Sequence, residues 1–456
     1  MASSNSFGEL GLSIIGLGTQ YPPNSLEAGE LAKLATKFHP ASPAMSKVLS
    51  INEFTGIQTR SSIGTAEHPL VNKEAPPSIA ELHETFMSDG VPLAIEAARK
   101  ALAEAHIDPT QVTHIVSTTC TDSANPGFDH FVAKELGLPQ NVERVLLHGI
   151  GCSGGLATLR TGANLALGHR YRGRPARVLC VALEVSTTLV RSELESIDKL
   201  QKTRIGACLF SDCASAAVLS NGVGDATAEP VYELLGWDNK IIPDTENDLG
   251  FDVDPLGWKV VLSQGVPTQV EQVLPQAFAD LVASVKTHLP EKYTAATDFD
   301  WAMHPGGITI LTNAEKTLGI QSSQMRASYY RYMQHGNSSS ATIFSVMDLL
   351  RSKEMDAEGL DGQAKEYVVG CAFGPGITVE TCMLKRNMAA RETQVPAETG
   401  SDASKSDVGE DGRDWTSLDG EKGNRSAPVS PSENQDAMPM GEDGFVNEAL
   451  ESVELD

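Results

Sequence analysis

Basic residues are in short supply in this chain. Its 456 residues include 35 Lys and Arg against 60 Asp and Glu, a formal net charge of −25 at pH 7. A surface with that balance repels phosphate backbones and anionic lipid headgroups, which argues against nucleic-acid binding and against electrostatic attachment to membranes. Long apolar runs are also missing. No stretch reaches the roughly 20 apolar residues that a membrane-spanning helix needs. The first nine residues, Met1 to Glu9, hold neither a basic n-region nor an apolar h-region, so no secretory signal is expected there. Paired cysteine motifs are a third absence. Cysteines stand at 120, 152, 180, 208, 213, 371 and 382, an odd number at irregular spacing with no Cys-x-x-Cys. That pattern argues against a disulfide frame or a zinc site and predicts reduced thiols in a cytoplasmic protein.

What is present is a hydrophobic fraction of 41%, enough for a packed core, on a length that suits two domains or one large duplicated one. The chain is organised around Leu147-His-Gly-Ile-Gly-Cys152-Ser-Gly-Gly155. An apolar run, Arg144 to Leu147, leads in, and a small-residue helix, Leu156 to Leu167, leads out. Cys152 therefore sits at a strand-to-helix turn. The helix N-terminus beside it favours thiolate and is expected to lower the thiol pKa. A buried structural cysteine is the commoner fate of such a residue, so the case for chemistry rests on what accompanies it.

Two later stretches accompany it. An apolar strand, Phe299 to Met303, runs into His304-Pro-Gly-Gly307, and Gly336-Asn337 opens a helix expected over Ser338 to Leu350. Acyl-thioester chemistry needs a nucleophile, a base beside it and donors aimed at an oxyanion. Cys152, His304 and Asn337 supply those types, each flanked by glycine at the end of a strand or the start of a helix. Further strands are expected at 12–17, 113–119, 176–183, 208–219, 230–235, 258–262 and over 367–384. Helices are expected over 27–49, 90–105 and 268–288. In each half a strand carries a polar turn, a small-residue helix follows, and a Gly-containing strand pair closes the unit. This order predicts a duplicated α/β architecture whose strand ends meet at one central site. The halves divide at 1–225 and 226–386. Residues 387–456 carry 17 Asp and Glu against 5 Lys and Arg with few apolar residues, the composition of a disordered acidic tail.

The motifs at Cys152, Trp301-Ala-Met-His304-Pro-Gly-Gly and His335-Gly-Asn337-Ser-Ser-Ser-Ala resemble the catalytic motifs of the thiolase superfamily. Gly370-Cys-Ala-Phe373-Gly374-Pro375-Gly376 resembles the Gly-Phe-Gly-Pro-Gly loop of type III polyketide synthases, with Ala372 in place of its first glycine. Leu209-Phe210-Ser-Asp-Cys-Ala214 resembles that family's gatekeeper strand. The resemblance spans roughly residues 10–386 and is nearest to fungal enzymes that extend long-chain fatty acyl-CoA to pyrones, resorcinols and resorcylic acids.

That resemblance implies a five-layer αβαβα fold. It implies that Cys152 carries the acyl chain, that His304 stabilises its thiolate as an ion pair, and that His304 and Asn337 bind the malonyl thioester and stabilise the enolate left by decarboxylation. Phe210, Val260, Ser339, Phe373, Gly374 and Pro375 are then expected at the substrate. Val260 replaces a second gatekeeper Phe of plant members. Lys47 and Arg60 are expected at CoA, whereas Ser50 and Phe54 stand where plant members carry basic residues. Asn125 and Pro126 are expected at a homodimer interface through a cis peptide. Acyl-CoA and malonyl-CoA are implied as substrates, with no metal or redox cofactor. A β-ketoacyl-carrier-protein synthase III also uses Cys, His and Asn, but it lacks the Gly-Pro-Gly loop. A non-catalytic partner of the same fold would not need all three reactive residues.

Overall fold

In a computed structural model the chain is described over residues 9–224, 229–254 and 257–389. The first half contributes strands β1 (Ser13–Gln20), β2 (Asn24–Glu27), β3 (Thr59–Ser62), β4 (His114–Thr118), β5 (Glu143–Leu147), β6 (Arg177–Val185) and β7 (Asp212–Ser220). The second contributes β8 (Tyr232–Ile241), β9 (Leu249–Asp254), β10 (Gly257–Leu262), β11 (Asp300–Met303), β12 (Tyr367–Gly374) and β13 (Thr378–Arg386).

The duplication is written in the strand order. The first half runs β5-β4-β6-β7-β1 and the second β11-β12-β13-β8. β4 pairs parallel with β6, β6 antiparallel with β7, and β7 antiparallel with β1. In the same places β11 pairs parallel with β12, β12 antiparallel with β13, and β13 antiparallel with β8. The second half repeats the first, less the parallel edge strand. In the sheet the two halves join where β1 pairs with β8, at Ser13–Glu233 and Ile14–Tyr232.

Side chains sort into five layers. The Val91–Glu104 and Phe128–Leu136 helices cover the outer face of the first sheet through Ile115, Leu179, Val181 and Val218. The Gly154–Tyr171 and Thr342–Leu350 helices lie between the sheets, where Leu156, Leu159 and Ala163 meet Val116 and Val178 on one side and Ile343, Phe344 and Val368 on the other. The Val266–Ser284 and Ile308–Leu318 helices cover the far face around Trp301, Met303, Val369 and Cys371. A strand buried on both faces has no polar side to show. This is why Val178 to Leu183 reads as a continuous apolar run.

Three local expectations shift. The strand expected from Cys208 begins at Asp212, after a helical turn at Gly206–Leu209. Tertiary pairing claims that segment: Asn337 N–H donates to Leu209 O at 3.0 Å and Ser211 N–H donates to Asn337 O at 2.9 Å. The helix expected from Ser338 begins with a 3₁₀ turn at Ser339–Ala341, because Ser339 has φ +48°. Asn387 belongs to the second half rather than to the tail, since its N–H donates to Val231 O at 3.1 Å and its Nδ2 to Pro230 O at 2.8 Å. The tail expected beyond it lies, from 390 on, outside the described residues. Among the described residues no helix is long and apolar enough to cross a membrane.

Candidate active site

Two equivalent corners build the site. In the first half the chain leaves β5 and makes the one-turn Gly151–Ser153 helix that carries Cys152 into the Gly154–Tyr171 helix. This turn is held from across the pseudo-repeat. Gly151 has φ +55°, and a Cβ there would stand 2.5 Å from Pro375 Cδ. A Cβ on Gly374 would stand 2.2 Å from Ser153 Oγ and 2.5 Å from Ile150 O. Only glycines allow the two loops to press together this closely. In the second half His304 follows β11, and its N–H donates to Cys371 O at 2.8 Å. Asn337 leaves the Arg326–His335 helix and pairs its backbone with Phe210.

Cys152, His304 and Asn337 line one cavity of about 1370 Å³, its opening to solvent included, together with Phe373, Phe210 and Val260. The Cys152 thiol donates to Ser339 Oγ at 3.5 Å. Asn337 is fixed at both ends of its amide: Oδ1 accepts from Ser339 N at 2.8 Å and Nδ2 donates to Gly306 O at 3.1 Å. An amide NH₂ has two protons, and the second is turned to the Cys152 sulfur at the cavity wall. His304 is 1% exposed, and neither ring nitrogen has a hydrogen-bond partner among the described residues. A neutral imidazole so placed keeps one N–H donor and one lone pair for whatever enters.

The protonation expectation needs correcting. Burial pushes the Cys152 thiol up to about 11, and the opposing hydrogen bonds from Ser339, Asn337 and the backbone offset only part of that. Burial pushes His304 down to about 3. Burial by itself therefore favours the uncharged form of each group. The helix terminus is present as expected, but desolvation of a lone charge outweighs it.

A second cavity, of about 740 Å³ on the same measure, abuts the first. Phe210 and Val260 belong to the walls of both. Leu31, Leu34, Leu70 and Val71 make its far side apolar.

The other expected residues divide. Phe210, Val260 and Phe373 face the cavity. Gly374 and Pro375 do not line it; they buttress the Cys152 turn. Ser339 is fully buried and contacts the thiol itself. Lys47 does not line the cavity, whereas Ser50 and Phe54, on the same face of the Pro43–Phe54 helix, do. Arg60 is 6% exposed, donates to Ala207 O and lines the second cavity. Asn125 and Pro126 are exposed, and the bond between them is cis.

One group escaped the sequence reading. Glu184 is fully buried and accepts from Cys120 N at 3.1 Å, Cys120 Sγ at 3.2 Å, Thr121 Oγ1 at 3.1 Å, and Ser340 Oγ. Cys120 Sγ in turn lies 3.6 Å from Ser339 Oγ. Burial raises the Glu184 carboxyl above its ordinary value. The signal was a carboxylate closing the apolar run of β6, which the expected strand stopped one residue short of including.

Sequence profiles described as chalcone and stilbene synthases match the chain, the N-terminal domain over residues 7–223 and the C-terminal domain over 233–388. The crystal structure of a type III pentaketide synthase from Neurospora crassa is 66% identical, with a TM-score of 0.82 over 83% of this chain and 100% of that one. The type III polyketide synthase pspB of Penicillium soppii is 40% identical over 392 residues, 82% of this chain and 96% of its own. The acylalkylpyrone synthase csyB of Aspergillus oryzae is 37% identical over 378 residues, 82% of this chain and 94% of its own. A crystal structure of CsyB complexed with CoA-SH superposes with a TM-score of 0.79.

Proposed function

The chain belongs to the chalcone and stilbene synthase family of CoA-dependent type III polyketide synthases, and we propose that it extends a long-chain fatty acyl-CoA starter with several malonyl-CoA units and cyclises the product to a pyrone, resorcinol or resorcylic acid. The observation that carries the long starter is the second cavity, which shares Phe210 and Val260 with the Cys152 cavity and presents Leu31, Leu34, Leu70 and Val71 to an alkyl chain. Each methylene buried there is worth about 0.8 kcal/mol. Relatives named for a pentaketide and for acylalkylpyrones support the product class.

In this reading Cys152 passes its proton to His304 and attacks the acyl-CoA carbonyl, releasing CoA thiol and leaving an acyl thioester on Sγ. Transfer between two buried groups creates an ion pair with no net charge, which the cavity tolerates better than a lone thiolate. Malonyl-CoA then enters with its thioester oxygen toward the second Asn337 N–H, released by acylation of Cys152, and the His304 N–H. Loss of carbon dioxide leaves an enolate on that oxygen, stabilised by donors already fixed in place. The enolate carbon attacks the acyl-Cys152 carbonyl, lengthening the chain by two carbons and returning it to CoA. The thioester and these donors carry the charge at every step, so the reaction calls on no metal or redox cofactor. Lys47, one turn from Ser50, is placed at the CoA end of the cavity, and the exposed Asn125 and Pro126 at the interface of a cytoplasmic homodimer.

The test is a series of acyl-CoA starters of increasing length with labelled malonyl-CoA, products identified by mass spectrometry. We expect kcat/KM to rise steeply with chain length and Cys152→Ala to abolish acyl loading. Equal or better use of acetyl-CoA would overturn the starter assignment.

A further inference from the structure

At the end of β4 remote from the catalytic cavity, three side chains converge that the reaction does not use. His114 is the first residue of β4, Glu143 is the first residue of β5 and its register partner, and His169 lies in the last turn of the Gly154–Tyr171 helix. One donor atom from each lies within 4.8 Å of the others. His114 Nε2 is 3.7 Å from one Glu143 carboxylate oxygen and His169 Nε2 is 3.8 Å from the other. The two rings meet edge to face, 4.6 Å between centroids.

Hydrogen bonds orient both imidazoles. Thr113 Oγ1, which also contacts Arg177 O at 3.1 Å and Arg177 N at 2.9 Å, lies 2.7 Å from His114 Nδ1. His169 Nδ1 faces Pro175 O at 3.3 Å, and a carbonyl only accepts, so the neutral His169 ring keeps its lone pair on Nε2. With Nδ1 of each ring engaged, both Nε2 atoms are turned toward the Glu143 carboxylate. His114 is fully enclosed, with 1% of its side chain exposed, and its Nε2 has no hydrogen-bond partner among the described residues.

We propose that His114, Glu143 and His169 form a site for one divalent transition-metal cation of the zinc type. Two imidazoles and one carboxylate are a zinc donor set, with water in the fourth position, and would suit calcium or magnesium poorly. Metal–ligand bonds of about 2.0–2.1 Å in a tetrahedron put ligand atoms about 3.3 Å apart. The donor atoms, all within 4.8 Å of one another, must draw in by up to about 1.5 Å, and Glu143, exposed at the start of its strand, is the side chain placed to move. The Nδ1 bonds to Thr113 and Pro175 are the outer contacts that orient metal-bound histidines. The metal staples the starts of two parallel strands to the end of the helix whose other end carries Cys152, about 22 Å away. Its role is structural, and it takes no part in condensation.

The full chain, stripped with EDTA and dialysed, is titrated with zinc sulfate by calorimetry and with Co²⁺ by electronic absorption. We expect one zinc ion per chain, a raised Tm on binding, and weak visible Co²⁺ bands without thiolate charge transfer. Glu143→Gln and His169→Gln, both at partly exposed positions, should each weaken zinc binding at least tenfold while keeping the wild-type circular dichroism and condensation rate. Absence of saturable zinc binding, Co²⁺ bands showing thiolate ligation, or unchanged affinity in both variants would overturn the site.

Discussion

Asn337 has two amide protons and spends one on Gly306 O. The other is a preset donor, and removing one such donor usually costs ~100- to ~1000-fold in rate. Asn337→Ala is therefore expected to slow malonyl-CoA decarboxylation by that factor, followed as carbon dioxide release from labelled malonyl-CoA. An unchanged rate would remove Asn337 from the oxyanion site. His304 carries a different signature. In the folded chain burial keeps it neutral down to about pH 3, while the unfolded chain protonates it near its ordinary 6.5. Between those values the unfolded state binds the extra proton, so stability falls as pH falls. At pH 5 the loss is about 2 kcal/mol. In His304→Gln that component disappears. The drop in Tm between pH 7 and pH 5 should be smaller than in the wild type, and equal drops would show that His304 titrates normally in the fold.

The β9–β10 hairpin places Val260 where the two cavities meet. Its backbone is pinned on both sides, by Glu193 Oε1 accepting from Val260 N at 3.1 Å and by Arg204 Nη1 donating to Val260 O at 3.0 Å. The strand cannot retreat from a larger side chain, so Val260→Phe grows into the passage. Overpacking of this kind costs ~1–3 kcal/mol, roughly 5- to 150-fold. Long acyl-CoA starters should lose that much in kcat/KM, and acetyl-CoA little, because it does not reach the ring. A proportional fall for both would make Val260 an ordinary core residue.

For the whole molecule, the described fold closes at Ala389. Truncation after Ala389 is expected to leave Tm and product yield unchanged. Truncation after Arg386 removes two Asn387 hydrogen bonds and should cost about 1 kcal/mol for each. Thermal melts of the two chains compare them directly, and a large loss of Tm on the longer truncation product would mean that residues beyond 389 pack on the fold. Sedimentation at micromolar concentration should give a dimer. A monomer there would refute the interface assigned to Asn125 and Pro126.

Cys152, His304 and Asn337 were legible in the sequence, because a Gly-flanked polar residue at the end of a strand or the start of a helix is a local signal and three such residues share one chemistry. The strands and the central helices were legible for the same reason: elements buried on both faces read as apolar runs. Their assembly was not. Register and strand order place Glu143 beside His114, and fold the Gly374-Pro375 loop onto the Cys152 turn from more than 200 residues away. Glu184 lay one residue beyond the expected strand, and only folding set it behind Cys120 and Ser340. The ionisation of Cys152 also depended on the fold. A helix terminus is written in nearby residues, but desolvation is set by every element that closes over the thiol, and only the tertiary structure brings those together.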